Sequence, residues 1–283
     1  MAPRSGPVVA DHAANAPRAA LTALATSARA LAGKESVALD DSVTWSILED
    51  SEADLRERVA CLTQLHSSSG EGDRAIRSAL DADEPVLRGA ALRLLADDRP
   101  QEAVEEIADD LQRDGISLRQ HAIGVLGTID SPRARTMLKD LFGQTRTGEL
   151  PTALHVDVID AFDGQEGETP DMMRSLAFGD DPLARYRSAW VGGDAERGRE
   201  LVLYHSGAAC VRCHIVEGRG GTSGPDLGEV ADRLDRAALL ESVIDPGSVV
   251  AAGYGDASAM PEMIHLLDPW DVRDIVEYLA TRR

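Results

Sequence analysis

A chain of 283 residues is long enough for two domains, and a hydrophobic fraction of 43% can supply a real core. The 49 Asp and Glu outnumber the 29 Lys and Arg, giving a formal net charge of -20, which argues against nucleic acid or an anionic membrane surface as a partner. Almost every cation is arginine; lysine occurs only at Lys34 and Lys139.

Residues 1–50 form an N-terminal segment. Its start, over 1–15, is rich in Pro and small residues and reads as disordered, and the Ala-rich stretch over 17–32 can form a helix. Met1 to Asn15 carries no apolar h-region of the secretory kind, and no stretch is long and apolar enough to cross a bilayer.

Residues 51–190 read as a helical repeat array. Leu55-Arg56, Leu87-Arg88 and Leu118-Arg119 recur at spacings of 32 and 31. Behind each pair, apolar residues fall at helical intervals: Val59 and Leu62; Ala91, Leu94 and Leu95; Ala122, Val125 and Leu126. Between them Ala103, Ile107 and Leu111 align with Ala134, Leu138 and Phe142, again 31 apart. A paired-helix unit of this length resembles a HEAT repeat, whose apolar face only its neighbours can bury. The leucines are expected in the core and the arginines paired with acidic neighbours between repeats. His66, His121 and His155 are expected in solvated or satisfied roles, and Cys61 as a small buried hydrophobe. A helix is expected from Pro151 to Phe162, a polar turn from Asp163 to Pro170, and further helices over Asp171–Phe178 and Pro182–Trp190. Gly192-Gly193 marks a boundary, with Asp194 a natural N-cap for the next helix.

Residues 191–283 carry the chemistry. Cys210-Val211-Arg212-Cys213-His214 is a CxxCH, the pattern for covalent attachment of a c-type haem. Two thiols on one helical turn can each add to a vinyl group of the same porphyrin, and the next residue turns an imidazole to the iron as proximal ligand. Structural zinc would need four ligands, and the only other cysteine is Cys61. A thioredoxin-like motif would need a βαβ context, whereas these flanks read as helical. Gly218, Gly220 and Gly221 read as a flexible bend beneath the haem edge, since no Walker lysine supports a phosphate cradle. For the sixth iron position Met260 comes first: it follows small residues and precedes Pro261, which restricts its backbone. Met263 is the alternative, and His265 and His205 remain open. Trp270 is expected to start the last helix and pack in the core.

These residues resemble the small all-helical class I cytochrome c domain. The resemblance covers about the last 90 residues, with its motifs in order: Gly193-Asp194, Cys210/Cys213/His214, Pro225, Met260-Pro261 and Tyr278-Leu279. It implies that the Pro225 carbonyl accepts the hydrogen bond of the His214 imidazole, that Met260 is the sixth ligand, and that the last helix crosses the first. The wording Gly224-Pro225-Asp226-Leu227, Leu239–Pro246, Ser258–Pro261 and Val272–Thr281 is similar to haem-binding domains of planctomycete and verrucomicrobial proteins. The family's Phe four residues after the helix glycine is replaced here by Val202, which leaves the helix–helix contact to be established.

The expected molecule is therefore all-α, a HEAT-like solenoid followed by a cytochrome c domain with one covalently bound haem c. The resemblance implies an electron carrier rather than an enzyme with its own substrate, with a dehydrogenase or terminal acceptor as redox partner and the repeats as docking scaffold. It also implies a periplasmic or otherwise extracytoplasmic site of haem attachment. In similar proteins such a pair often follows a sugar-dehydrogenase-like propeller, so the chain is read as a mature form or the electron-accepting C-terminal part of a larger dehydrogenase. The alternative reading is a haem-based sensor or interaction scaffold with five-coordinate or ligand-exchangeable iron.

Overall fold

The computed structural model describes residues 40–68, 70–162, 178–179 and 181–283. The expected disordered start, the Ala-rich helix, the Asp163–Pro170 turn and nearly all of the Asp171–Phe178 helix lie outside the described residues. Two compact units divide the chain, one ending at Ala75 and the other running from Ile76 to Arg283.

In the first unit, helix α1 (Asp41–Glu49) begins where the Asp40 carboxylate accepts the Ser42 amide, and it packs on α2 (Leu55–Ser68). Arg58 Nε donates to Leu48 O at 3.0 Å, and the Arg74 guanidinium lies 4.1 Å over the Trp45 ring. Helix α3 (Gly72–Leu80) spans the division between the units.

The second unit opens with the repeat helices α4 (Pro85–Asp98), α5 (Pro100–Asp110), α6 (Ile116–Leu126), α7 (Pro132–Thr147) and α8 (His155–Ala161). Proline stands in the first turn of α4, α5 and α7, where its missing N–H leaves no bond unmade. The expected core holds: Leu87, Ala91, Leu95, Ala103, Ile107, Ala122, Val125, Leu126, Ala134 and Leu138 are all buried. Leu94 is only half-buried, and Leu92 takes the fully buried position on that turn. The arginine expectation needs correcting. Arg88 lies against Asp110 (2.6 Å) and Glu106 (3.3 Å) of α5, within its own helical hairpin rather than between repeats. The expected helix at Pro151–Phe162 is a 3₁₀ turn, Thr152–Leu154, running into α8. The expected helix at Pro182–Trp190 is only a 3₁₀ turn, Tyr186–Ser188, in a stretch whose amides bond mostly three residues back, Ala184 to Asp181 O, Tyr186 to Leu183 O and Ala189 to Tyr186 O.

The C-terminal part is built from α9 (Ala195–Tyr204), α10 (Arg236–Ile244) and α11 (Pro269–Ala280). Asp194 caps α9 by accepting the amides of Glu196 and Arg197. Asp268 and Asp271 form a capping box that starts α11, with Pro269 in its first turn. Helices α9 and α11 pack closely, and Gly198 is the point of approach: a Cβ there would stand 1.9 Å from Asp274 O. Val202 closes the contact, buried in a core with Leu203, Leu239, Ile275, Val276 and Leu279. One element departs from an all-helical domain, a two-stranded hairpin of β1 (Ile215–Val216) and β2 (Arg219–Gly220).

This part is bonded to the repeats. Arg273 of α11, 2% exposed, makes a bidentate pair with Asp157 of α8, both contacts at 2.9 Å. Gln120 of α6 donates to Ala153 O and Val191 O. Trp270 begins α11 as expected, yet it faces the repeats: its indole donates to Asp160 and the Arg273 guanidinium lies 4.3 Å over its ring.

Candidate functional site

The CxxCH stretch follows directly from α9. Ala209, in the left-handed region at φ 45°, turns the chain into the 3₁₀ helix Cys210–Arg212. Cys210 O accepts the amides of Cys213 (3.1 Å) and His214 (3.0 Å), so one turn gathers both thiols and the imidazole. Both thiols are free; Cys210 is half-buried and Cys213 exposed. Burial pushes the Cys210 thiol above the ordinary range.

The imidazole is tied down on one side. His214 Nδ1 lies 2.7 Å from Pro225 O. Facing a carbonyl, Nδ1 must carry the proton and donate it, which leaves the Nε2 lone pair for a metal. The bend expected after His214 is a paired antiparallel hairpin. Glu217 (φ 52°) and Gly218 (φ 74°) form a two-residue turn with both φ values positive, which matches the twist of paired strands. A Cβ at Gly220 would stand 2.0 Å from His214 O, and one at Gly224 would stand 2.6 Å from His214 Cε1. The glycines thus let the loop close around the histidine.

Glu217 locks this hairpin to the helices. Its carboxylate accepts from Arg199 Nε (2.6 Å) and Nη2 (2.7 Å) and from the Tyr278 hydroxyl (3.2 Å). The Arg199 guanidinium brings its carboxyl down to about 2. Sequence reasoning passed over Glu217, since a single acidic residue in a turn carries no motif.

The two methionines differ. Met263 is 3% exposed and belongs to the core, while Met260 is half-buried at its edge. Ser258 Oγ accepts the Met260 amide at 3.2 Å, and Pro261 follows. The histidine alternatives are engaged elsewhere. His205 Nδ1 accepts the Ala208 amide at 2.9 Å, and exposed His265 lies 3.1 Å from the Glu262 carboxylate. Among the described residues, no three His, Cys, Asp or Glu side chains gather as a metal cluster of the zinc kind.

These residues fit a c-type haem: two unbridged thiols at the required spacing, an imidazole with Nδ1 already bonded, and a glycine cradle that a side chain would fill. The class so defined is a helical-repeat array carrying a haem-attachment domain at its end. Residues 195–283 match the family described as Cytochrome c, and residues 74–153 match the family described as HEAT repeats. No curated protein matches the chain, and no solved structure does. The domain arrangement is HEAT repeats followed by a cytochrome c domain, and the family implies haem c as cofactor. No helix among the described residues is long and apolar enough to cross a membrane.

Proposed function

We propose that this chain is an electron-transfer cytochrome holding one haem, linked through Cys210 and Cys213, with His214 as proximal ligand and Met260 as sixth ligand. The observation that carries this reading is the bond between His214 Nδ1 and Pro225 O, which fixes the tautomer and aim of the ring. The count of one rests on the single CxxCH in the sequence. Met260 is preferred over Met263 because Met263 is committed to the core, whereas Met260 sits at the edge between Ser258 and Pro261. A haem held by imidazole and thioether supplies one-electron chemistry, and methionine raises its potential relative to a second histidine. The chain's own part is to orient the imidazole through Pro225, to keep the thioether in place, and to hold the attachment hairpin through Glu217.

Haem attachment implies an extracytoplasmic location, and the family suggests a redox partner, here a dehydrogenase or terminal acceptor. With 20 more acidic than basic charges, the chain favours a basic partner and salt-dependent association. The repeats serve as docking scaffold. The resemblance to planctomycete and verrucomicrobial haem-binding domains supports a place at the C-terminal, electron-accepting end of a larger dehydrogenase.

The test is to express the chain with a haem-attachment system, then compare it with the Cys210→Ala/Cys213→Ala variant by haem staining on a denaturing gel. Staining is expected only without the substitutions, and staining of the variant would overturn the attachment. The reduced protein is expected to ignore carbon monoxide. Ready binding would favour the five-coordinate sensor reading instead.

A further inference from the structure

We propose that Tyr186 is a positioning residue for the sixth ligand, a phenol supplied from outside the cytochrome c match whose hydroxyl anchors the loop that presents Met260. This rests on the reading of Met260 as ligand.

Tyr186 lies in the 3₁₀ turn Tyr186–Ser188, nine residues before the family match begins at 195. It is nonetheless 3% exposed and part of the same core as Met263, Leu267 and Val276. Its hydroxyl lies 2.8 Å from Ile264 O and 2.9 Å from Leu267 O. Arg185 Nη2 donates to the same oxygen at 3.3 Å, and the Arg185 guanidinium lies 4.9 Å over the ring. The hydroxyl proton is therefore directed to the two carbonyls, while its lone pairs face the cation.

Those carbonyls sit where the methionine loop ends. Met263 O takes the amides of Leu266 and Leu267, and the capping box of α11 begins at Asp268. Among the described residues, the carbonyls of Ile264 and Leu267 are those that turn to the Tyr186 hydroxyl. At its other end the loop is loosely held: residues 251–257 are exposed, and Gly253 (φ 91°) and Gly255 (φ 94°) interrupt them. The Tyr186 hydroxyl and the Met263 side chain thus fix the C-terminal end of a loop whose N-terminal end has little to hold it. The position of the Met260 thioether depends on that end.

The test uses the full chain with haem attached. Tyr186→Phe keeps the ring in the core and removes the hydroxyl. Val243→Ala, on α10 in the same core, serves as a destabilised control that removes core packing and keeps the Tyr186 hydroxyl. Three properties are read well below the melting temperature: the weak long-wavelength sulfur-to-iron absorption, carbon monoxide affinity of the reduced protein, and amide exchange over 258–268. Tyr186→Phe is expected to weaken the band, raise carbon monoxide affinity about tenfold and speed exchange, as loss of a buried hydrogen bond would do. Val243→Ala should leave band and affinity unchanged. An unaltered band and affinity in Tyr186→Phe, with the band present in the parent, would overturn the role of Tyr186 and leave Met260 ligation standing. A parent lacking the band and binding carbon monoxide freely would overturn Met260 ligation and the positioning role with it.

Discussion

Two residues at the crossing of α9 and α11 carry much of the domain's tolerance to change. Gly198 has no room for a methyl group, because its neighbour there is the Asp274 carbonyl, which is backbone and cannot turn away. Gly198→Ala is expected to destabilise the protein by about 3 kcal/mol, measured by chemical denaturation. Asp274 accepts the Asp194 amide at 2.7 Å and lies 3.0 Å from Arg197 Nε, yet burial outweighs both and lifts its carboxyl from 3.8 to about 7. The folded state therefore keeps a proton that the unfolded chain has released. Its contribution to stability is fully present below pH 3.8 and is lost as pH rises through about 7. Asp274→Asn should flatten that part of the profile, read as the thermal midpoint against pH between those values.

The hairpin and the 3₁₀ turn that carries the cysteines act as one element. Neither has enough internal bonding to hold its shape alone, and Glu217 joins them to α9 and α11 through Arg199 and Tyr278. Because its carboxyl is lowered from 4.5 to about 2, the link is present above pH 4.5 and is lost as pH falls toward 2. Glu217→Gln is expected to remove this acid dependence without changing the spectrum at neutral pH, checked by acid titration of folding and by the visible spectrum. The hairpin was read from the sequence as a flexible bend because three glycines look permissive. Here Gly218 supplies a positive φ for the turn, while Gly220 packs on His214 O and Gly221 on Arg212 O, and only the placement of those carbonyls reveals it.

Across the second unit, α11 belongs to two surroundings at once. One face packs on α9 in the cytochrome core, and Arg273 and Trp270 reach α8 of the repeats. Removing one partner of a buried pair leaves an uncompensated charge, so Arg273→Met should cost about 4 kcal/mol. Adding Asp157→Leu should recover part of that loss, and a double-mutant cycle by denaturation measures the coupling. Periodicity alone determined the helical repeats and their core, because an amphipathic face can be read from spacing wherever neighbours bury it. The CxxCH was equally legible, since its spacing puts two thiols and an imidazole on one turn, and the Pro225 carbonyl lies against the His214 imidazole as the resemblance implied. Tyr186, Asp157 and Asp160 were not. Each acts on a group 78 to 116 positions away, and no local pattern marks such a pairing. Only the tertiary structure decided that the turn before Gly192 completes the cytochrome core and that α11 is tied to the repeats, because both depend on which buried polar groups meet when the chain closes on itself.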